Sequence, residues 1–215
     1  MLTTLIQQLQ RYPLAAHAPR PALRNAAVLV GLHGSEQHPQ LILTERAAHL
    51  NSHAGEVAFP GGMYESQDRH LLDTALRETD EEIGLASGLI TPLATLPAAT
   101  PKRSDVWVTP FVARVEEPFD LTLDPSELSA VFSVPLTHFM GSDRYDYFDL
   151  DIRGEPVAFP FIDFKGYRIW GFTLGVIVEM LNDCLAADIR LRYPAGFARD
   201  RSVAIEKKTA ANTGN

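Results

Sequence analysis

The opening residues "MLTTLIQQLQRY" place Leu2, Leu5, Ile6 and Leu9 at helical spacing among threonines and glutamines, which predicts an amphipathic helix that Pro13 should end. The stretch "PRPALRN" then reads as a linker into two apolar runs, "AAVLVGLH" (26–33) and "QLILTER" (40–46). A polar turn, "GSEQHP", joins these runs, so they read as a β-hairpin. Farther along, Leu72, Leu76, Thr79 and Ile83 recur at spacings of four, three and four, a buried stripe on a helix over 71–83 that Gly84 should stop. "LITPLATLP" and "DVWVTPFVARV" are rich in β-branched and aromatic residues and predict further strands, with Pro110 pointing to an edge or bulge in the second. In "DPSELSAVF" (124–132), Asp124 or Ser126 is suited to cap a helix. "YRIWGFTLGVIVEMLNDCLA" (167–186) begins as a strand and continues with a long helical apolar pattern. From about Gly196 the chain is polar and should fray. Alternating helices and mixed strands without an internal repeat indicate an α/β layered fold, with one domain over 1–195 and a polar tail over 196–215.

Composition narrows what that domain does. The chain has 215 residues, 46% of them hydrophobic and 21% charged, enough apolar material for one sizeable core. A formal net charge of −8 argues against a general nucleic-acid binder, which needs basic surface to displace counterions from phosphates. An anionic substrate would therefore need a local basic patch or metal ions. Cys184 is alone, so no intramolecular disulfide forms and no cysteine cluster offers a zinc site; a cytoplasmic location fits this best. No run approaches the roughly 20 apolar residues that span a bilayer, and the first helix lacks the basic leader of a signal peptide.

The 71–83 helix carries the chemistry. Each helical residue turns by about 100°, so Glu78, Glu81 and Glu82 project from one side while Asp80 points away. Like charges at these spacings oppose the helix by roughly 0.2–0.5 kcal/mol per pair, and their place near its C-terminus is disfavoured by the macrodipole. A solvated acidic face is the bland explanation. The alternative is a site for a hard divalent ion, since Mg²⁺ and Mn²⁺ prefer carboxylate, carbonyl and water oxygens. Gly61 and Gly62 let backbone approach a ligand closely, and Arg77 lies within reach of Glu81 at i,i+4.

These residues resemble the signature box of the Nudix hydrolases, G-x5-E-x7-R-E-U-x-E-E-x-G-U, where U is bulky and apolar. Gly62 begins the box, Asp68 stands in place of its first Glu, and "RETDEEIGL" supplies Arg77, Glu78, Glu81, Glu82, Gly84 and Leu85. Eight residues rather than seven separate Asp68 from Arg77, and Thr79 fills an apolar position. Upstream, "ILTERAAHLNSHAGEVAFPGG" is similar to a motif of the coenzyme A pyrophosphatase branch, L-L-T-x-R…R-x3-G-x3-F-P-G-G. Ile42, Leu43, Thr44, Arg46, Gly55, Phe59, Pro60, Gly61 and Gly62 match it, and Asn51 occupies the place of its second Arg. "VTPFVARV", "ELSAVFSVPL" and "YRIWGFTLGVI" extend the resemblance over roughly 26–186.

The resemblance implies a Nudix-type α/β/α sandwich with a mixed sheet, a small-molecule diphosphate substrate, and Mg²⁺ or Mn²⁺ as cofactor. It implies Glu78 and Glu82 as metal ligands, Glu81 as a further ligand or water-positioning group, and Gly62 as a carbonyl donor. Glu81 and the downstream Glu127 are the candidates for general base, Glu127 being equally explicable as a first-turn helix glutamate. Arg46, Lys102 and Arg103 are candidates for substrate phosphate contacts. His49 and His53 are expected to make structural hydrogen bonds, and Trp107 and Trp170 to be core. Coenzyme A or an acyl derivative is the leading substrate. ADP-ribose or a dinucleotide comes next, and a noncatalytic nucleotide-binding domain is the remaining reading. A homodimer is the default for a soluble oligomer.

Overall fold

The computed structural model describes residues 1–15, 17–100, 105–141 and 144–194. Ten strands and three α-helices follow one another as α1 (Leu2–Leu9), β1 (Arg24–Gly34), β2 (Pro39–Arg46), β3 (Val57–Ala58), β4 (Gly61–Met63), α2 (Leu71–Ile83), β5 (Ile90–Thr95), β6 (Val106–Val115), β7 (Leu128–Pro135), β8 (Asp146–Ile152), β9 (Glu155–Phe164), β10 (Tyr167–Trp170) and α3 (Gly171–Leu185). The 196–215 tail, and with it the expectation that it frays, lies outside the described residues.

Seven strands form one mixed sheet, ordered β3-β2-β1-β6-β5, with β4 added to β1 and β7 to β2. β1 and β6 run parallel from Arg24 opposite Val106 to Leu32 opposite Arg114, and the other pairings are antiparallel. Strand alternation sorts the apolar side chains to two faces. Ala27 and Leu29 of β1 and Phe111, Ala113 and Val115 of β6 pack with Leu71, Ala75 and Ile83 of α2. Val30 and Leu32 face the other way, onto Leu5 and Leu9 of α1 and Val176, Ile177 and Leu181 of α3. This is an α/β/α sandwich. No helix among the described residues is long and apolar enough to cross a membrane.

The 26–46 hairpin forms, but its strands pair only from Leu32 to Gly34 against Leu41 to Pro39 and then splay. The segment 57–63 fills the wedge, β3 pairing with β2 and β4 with β1. Gly61 and Gly62 therefore sit inside the sheet, directly beneath α2.

Two expectations are corrected. Pro110 lies neither on an edge nor at a bulge, because β6 is flanked by β1 and β5, and the irregularity falls in β5 between Pro92 and Ala94. Pro110 is tolerated where β5 ends; its carbonyl accepts the Leu96 amide at 2.9 Å, and the missing N–H faces that same side. The 124–132 segment is not a helix. Asp124 Oδ1 accepts the Ser126 amide at 2.8 Å and its hydroxyl at 2.7 Å, which makes a turn, and β7 follows with its β-branched and aromatic residues. Glu127 is consequently a turn residue, not a first-turn helix glutamate. The strands β8 and β9, which with β10 form a second, three-stranded sheet, were not expected from the pattern.

Candidate active site

α2 begins at His70, whose ring accepts the Asp73 amide, and ends at Gly84 in the left-handed region at φ 67°, its amide bonding the Asp80 carbonyl at 2.8 Å. Between these caps the helix lays its apolar stripe on the sheet and turns Arg77, Glu78 and Glu82 toward the glycine wedge.

Arg77 organises the cluster. Its Nε and Nη2 form a fork onto the two Asp68 oxygens at 3.0 Å each, Nη1 reaches Glu78 Oε1 at 3.0 Å and Glu81 Oε2 at 2.9 Å, and Nη2 also donates to the Met63 carbonyl at 3.1 Å. Asp68 is buried and further accepts the Thr74 hydroxyl and the Glu65 amide. The guanidinium, outweighing the cost of burial, holds the Asp68 carboxyl well below its usual range, at about 2. So the residue in the place of the box's first Glu anchors Arg77 despite the extra residue between them. Its acidic type and nine-residue offset from Arg77 were the available signal.

Two further glutamates, Glu82 buried and Glu78 half-buried, are in the opposite condition. Glu82 is 4% exposed, and burial pushes its carboxyl up to about 7, with Glu78 and Glu127 adding repulsion, while the Gly61 amide at 2.9 Å and Arg46 partly offset this. Burial likewise raises Glu78 above the usual range, against the pull of Arg77 and with repulsion from Glu81 and Glu127. Glu81 stands apart, its side chain 60% exposed and its Oε2 on Arg77.

The glycines are required sterically. A Cβ on Gly62 would lie 2.3–2.5 Å from the Glu78 carboxyl atoms. Gly61, at φ 148°, leaves no room either, since a Cβ would sit 2.3 Å from the Ala27 carbonyl.

Glu127 arrives from the loop between β6 and β7. That loop crosses the end of α2, where the Thr122 and Asp124 amides satisfy the Ile83 and Glu82 carbonyls at 2.9 Å each. The Glu127 carbonyl then accepts the Ala47 amide at 2.8 Å, next to Arg46. Arg46, at the end of β2, acts on Glu82 electrostatically, and its Nε is buried with no hydrogen-bond partner among the described residues. His49 and His53 do make local bonds, to the Ser126 carbonyl and to Glu56. Trp107 and Trp170 are only half-buried, Trp107 lying under the Arg20 guanidinium. Lys102 and Arg103 lie outside the described residues.

Among the described residues, no three His, Cys, Asp or Glu side chains converge as a ready metal cage. The donor set nonetheless suits a hard cation: Glu78 and Glu82 repel each other and are repelled by Glu127, Arg77 and Arg46 only partly offset this, and Mg²⁺ is commonly held by one or two carboxylates, with waters and substrate phosphate completing its shell.

Comparison with known proteins agrees with this geometry. A family model described as the NUDIX domain matches residues 22–151. The uncharacterized Nudix hydrolase NudL of Photorhabdus laumondii subsp. laumondii is 35% identical over 157 residues, 73% of this chain and 83% of that protein. The uncharacterized NudL of Enterobacter sp. (strain 638) is 36% identical over the same length, 73% of this chain and 81% of its own. A MutT/nudix family protein from Enterococcus faecalis, 18% identical, superposes with a TM-score of 0.50 over 86% of this chain and 70% of that one, a likeness of fold. Signature residues gathered on a helix over a glycine wedge, a family model spanning most of the chain and relatives of this extent lead to one assignment: the chain belongs to the Nudix hydrolases, a family of pyrophosphatases.

Proposed function

We propose that the protein hydrolyses the diphosphate bond of coenzyme A or an acyl derivative in a reaction that needs Mg²⁺ or Mn²⁺. The observation that carries the substrate reading is Arg46. It is the motif arginine of "ILTERAAHLNSHAGEVAFPGG", it acts on Glu82, and its buried Nε has no hydrogen-bond partner among the described residues, which suits it to a substrate phosphate.

Glu78 and Glu82 would hold the cation, with Glu81 and the Gly62 carbonyl as further donors. Bound there, Mg²⁺ or Mn²⁺ would supply Lewis acidity to the phosphoryl oxygens and acidify water. Arg77 keeps the Glu78 and Glu81 carboxylates oriented, and the Gly61 amide fixes Glu82. Water attacks one phosphorus as its proton passes to a glutamate, and the bridging P–O bond breaks toward the other phosphate. Of the two candidate bases, Glu127 is favoured, since it repels both Glu78 and Glu82, whereas Glu81 is engaged by Arg77. The products would be 4′-phosphopantetheine, or its acyl form, and adenosine 3′,5′-bisphosphate.

The test is product analysis by liquid chromatography and mass spectrometry, offering coenzyme A, ADP-ribose and NADH separately with Mg²⁺, Mn²⁺ or chelator. Metal-dependent release of 4′-phosphopantetheine is expected. Cleavage of ADP-ribose or NADH alone would move the substrate to a nucleoside diphosphate, consistent with Asn51 standing where the motif has its second Arg. Arg46→Ala should raise KM for coenzyme A about tenfold or more, the scale of one charge-assisted hydrogen bond, with kcat changed less; an unaltered kcat/KM would remove Arg46 from the contact.

A further inference from the structure

His33, near the end of β1, is 6% exposed and bonded at both ring nitrogens, Nδ1 to Glu117 Oε1 at 2.9 Å and Nε2 to the Ser133 hydroxyl at 2.7 Å. A carboxylate only accepts, so with a neutral ring the Nδ1–H donates to Glu117 and Nε2 accepts the Ser133 hydroxyl. Phe119 packs edge-on against the ring at 5.2 Å. A buried polar side chain with both groups satisfied by residues so far apart in sequence ties distant segments together. Here the two partners are the two ends of one segment. Glu117 opens the loop that follows β6, and Ser133 lies in β7, after the loop has delivered Glu127.

We propose that His33 is a positioning residue for Glu127, closing the base of the 117–133 segment so that its far end stays docked on α2. This rests on the reading of Glu127 as a catalytic group. From Leu128 the segment is paired with β2, and before that it is held at His33, at Ile83 and Glu82 through the Thr122 and Asp124 amides, at Ala47 through the Glu127 carbonyl, and at His49 through the Ser126 carbonyl. The last three grip the tip. His33 bonds both the outgoing arm, at Glu117, and the returning strand, at Ser133, on the sheet face that carries α2: β1 alternation puts it with Ala27 and Leu29, and Ser133 stands opposite Ile42 of the same apolar cluster. Without that tie, the outgoing arm from Glu117 loses its anchor on the sheet, the Thr122 and Asp124 contacts with α2 must hold a freer arm, and Glu127 is displaced from the carboxylates it acts on. A misplacement on the order of 1 Å is enough to lose a large factor in rate.

The test compares His33→Asn, Ser133→Ala and Ser133→Thr with Glu127→Gln and the double variant His33→Asn/Glu127→Gln, by two readouts. In hydrogen exchange on the full chain, the Thr122 and Asp124 amides of His33→Asn and Ser133→Ala should exchange about tenfold faster than in the wild type, while α3 amides keep their rates. In turnover of whichever diphosphate the wild type cleaves, kcat of His33→Asn should fall roughly 10- to 100-fold with KM changed less than about twofold. Ser133→Thr, which retains the hydroxyl, should restore both readouts. In the Glu127→Gln background, His33→Asn should cause no further fall, because the clamp acts through Glu127. Unchanged exchange at 122 and 124, equal acceleration in α3, or a His33→Asn loss that adds in full to Glu127→Gln would each overturn the proposal. Ser133→Ala carries the test if His33→Asn fails to fold. A wild type that cleaves no diphosphate offered would overturn the catalytic reading instead, and exchange would still decide whether the clamp exists.

Discussion

The acidic groups of the site come from two kinds of backbone. Glu78 and Glu82 stand on α2, a capped helix fastened to the sheet by its apolar stripe, and each has a local fixture: Arg77 Nη1 for one, the Gly61 amide for the other. Glu127 stands in a turn, exposed, and is held by backbone hydrogen bonds to the end of α2 and to Ala47. The helix carboxylates are rigid and charge-frustrated, as befits groups awaiting a cation. The loop carboxylate is adjustable, as befits a group that must meet a proton on a bound substrate's water. Rigid elements hold a first shell more accurately than loops do, so damage to the two should differ in kind.

The largest effect is expected on the helix side. Glu82→Gln keeps shape and burial but removes charge, and turnover should fall at least about 10³-fold, as for loss of a principal catalytic group. Its Tm should not drop, because a neutral amide is easier to bury than the carboxylate. Retention of wild-type turnover would take Glu82 out of the mechanism. On the loop side, Glu127→Gln should lower kcat by about 10²-fold, and Glu81→Gln by less. The reverse order in a kcat comparison would transfer the base to Glu81.

Gly62→Ala attacks the helix side without touching a carboxylate. The added Cβ meets the Glu78 carboxyl, the far end of a flexible side chain, so that group shifts while the backbone stays. A kcat loss of roughly 10- to 100-fold is expected, with a Tm change within a few degrees. Gly61→Ala is the contrasting control: its Cβ meets the Ala27 backbone and should chiefly destabilise the protein. Kinetic equivalence of the two variants would mean that Glu78 does not rest on Gly62 in solution.

How far the sequence revealed this arrangement depends on the range of the interaction. The α2 helix, its end at Gly84, the 26–46 hairpin and the strand followed by helix over 167–186 are local patterns and form, although the buried face of α2 runs through Leu71, Thr74, Ala75, Thr79, Glu82 and Ile83 and leaves Leu72 and Leu76 half-buried. The turn at 124–127 was misread because Asp124 and Ser126 serve turns and helix caps through the same side-chain bonds. The wedge of β3 and β4 was not legible, since strands of two and three residues have too few positions to show a period. Nor was the β8–β9 hairpin, although "DYFDLDI" does alternate. Among site residues, Glu78 and Glu82 are visible as a costly acidic face, but that Glu82 is buried and Glu81 exposed follows from packing against Gly61. His33 is a tertiary choice, deriving its role from partners far from its own strand, whereas Asp68 works through Glu65, Thr74 and Arg77 nearby in the chain.

Asp68 gives the mildest way to separate scaffold from chemistry. Its carboxyl is held at about 2, below the ordinary 3.8, chiefly by the Arg77 fork. A depressed folded-state value means stability that is fully present above the unfolded value and is lost as pH falls through the folded one. A shift of this size corresponds to about 2 kcal/mol. Asp68→Asn should therefore lower the unfolding free energy by about 2 kcal/mol at pH 7, and the gap from wild type should shrink as pH falls from about 4 toward 2. Urea titrations at pH 7 and pH 2.5 measure it. A gap of the same size at both would show that the loss comes from packing rather than from the ion pair. Loss of kcat beyond about tenfold at pH 7 would instead show that Asp68 transmits through Arg77 to Glu78, joining scaffold and chemistry in one network.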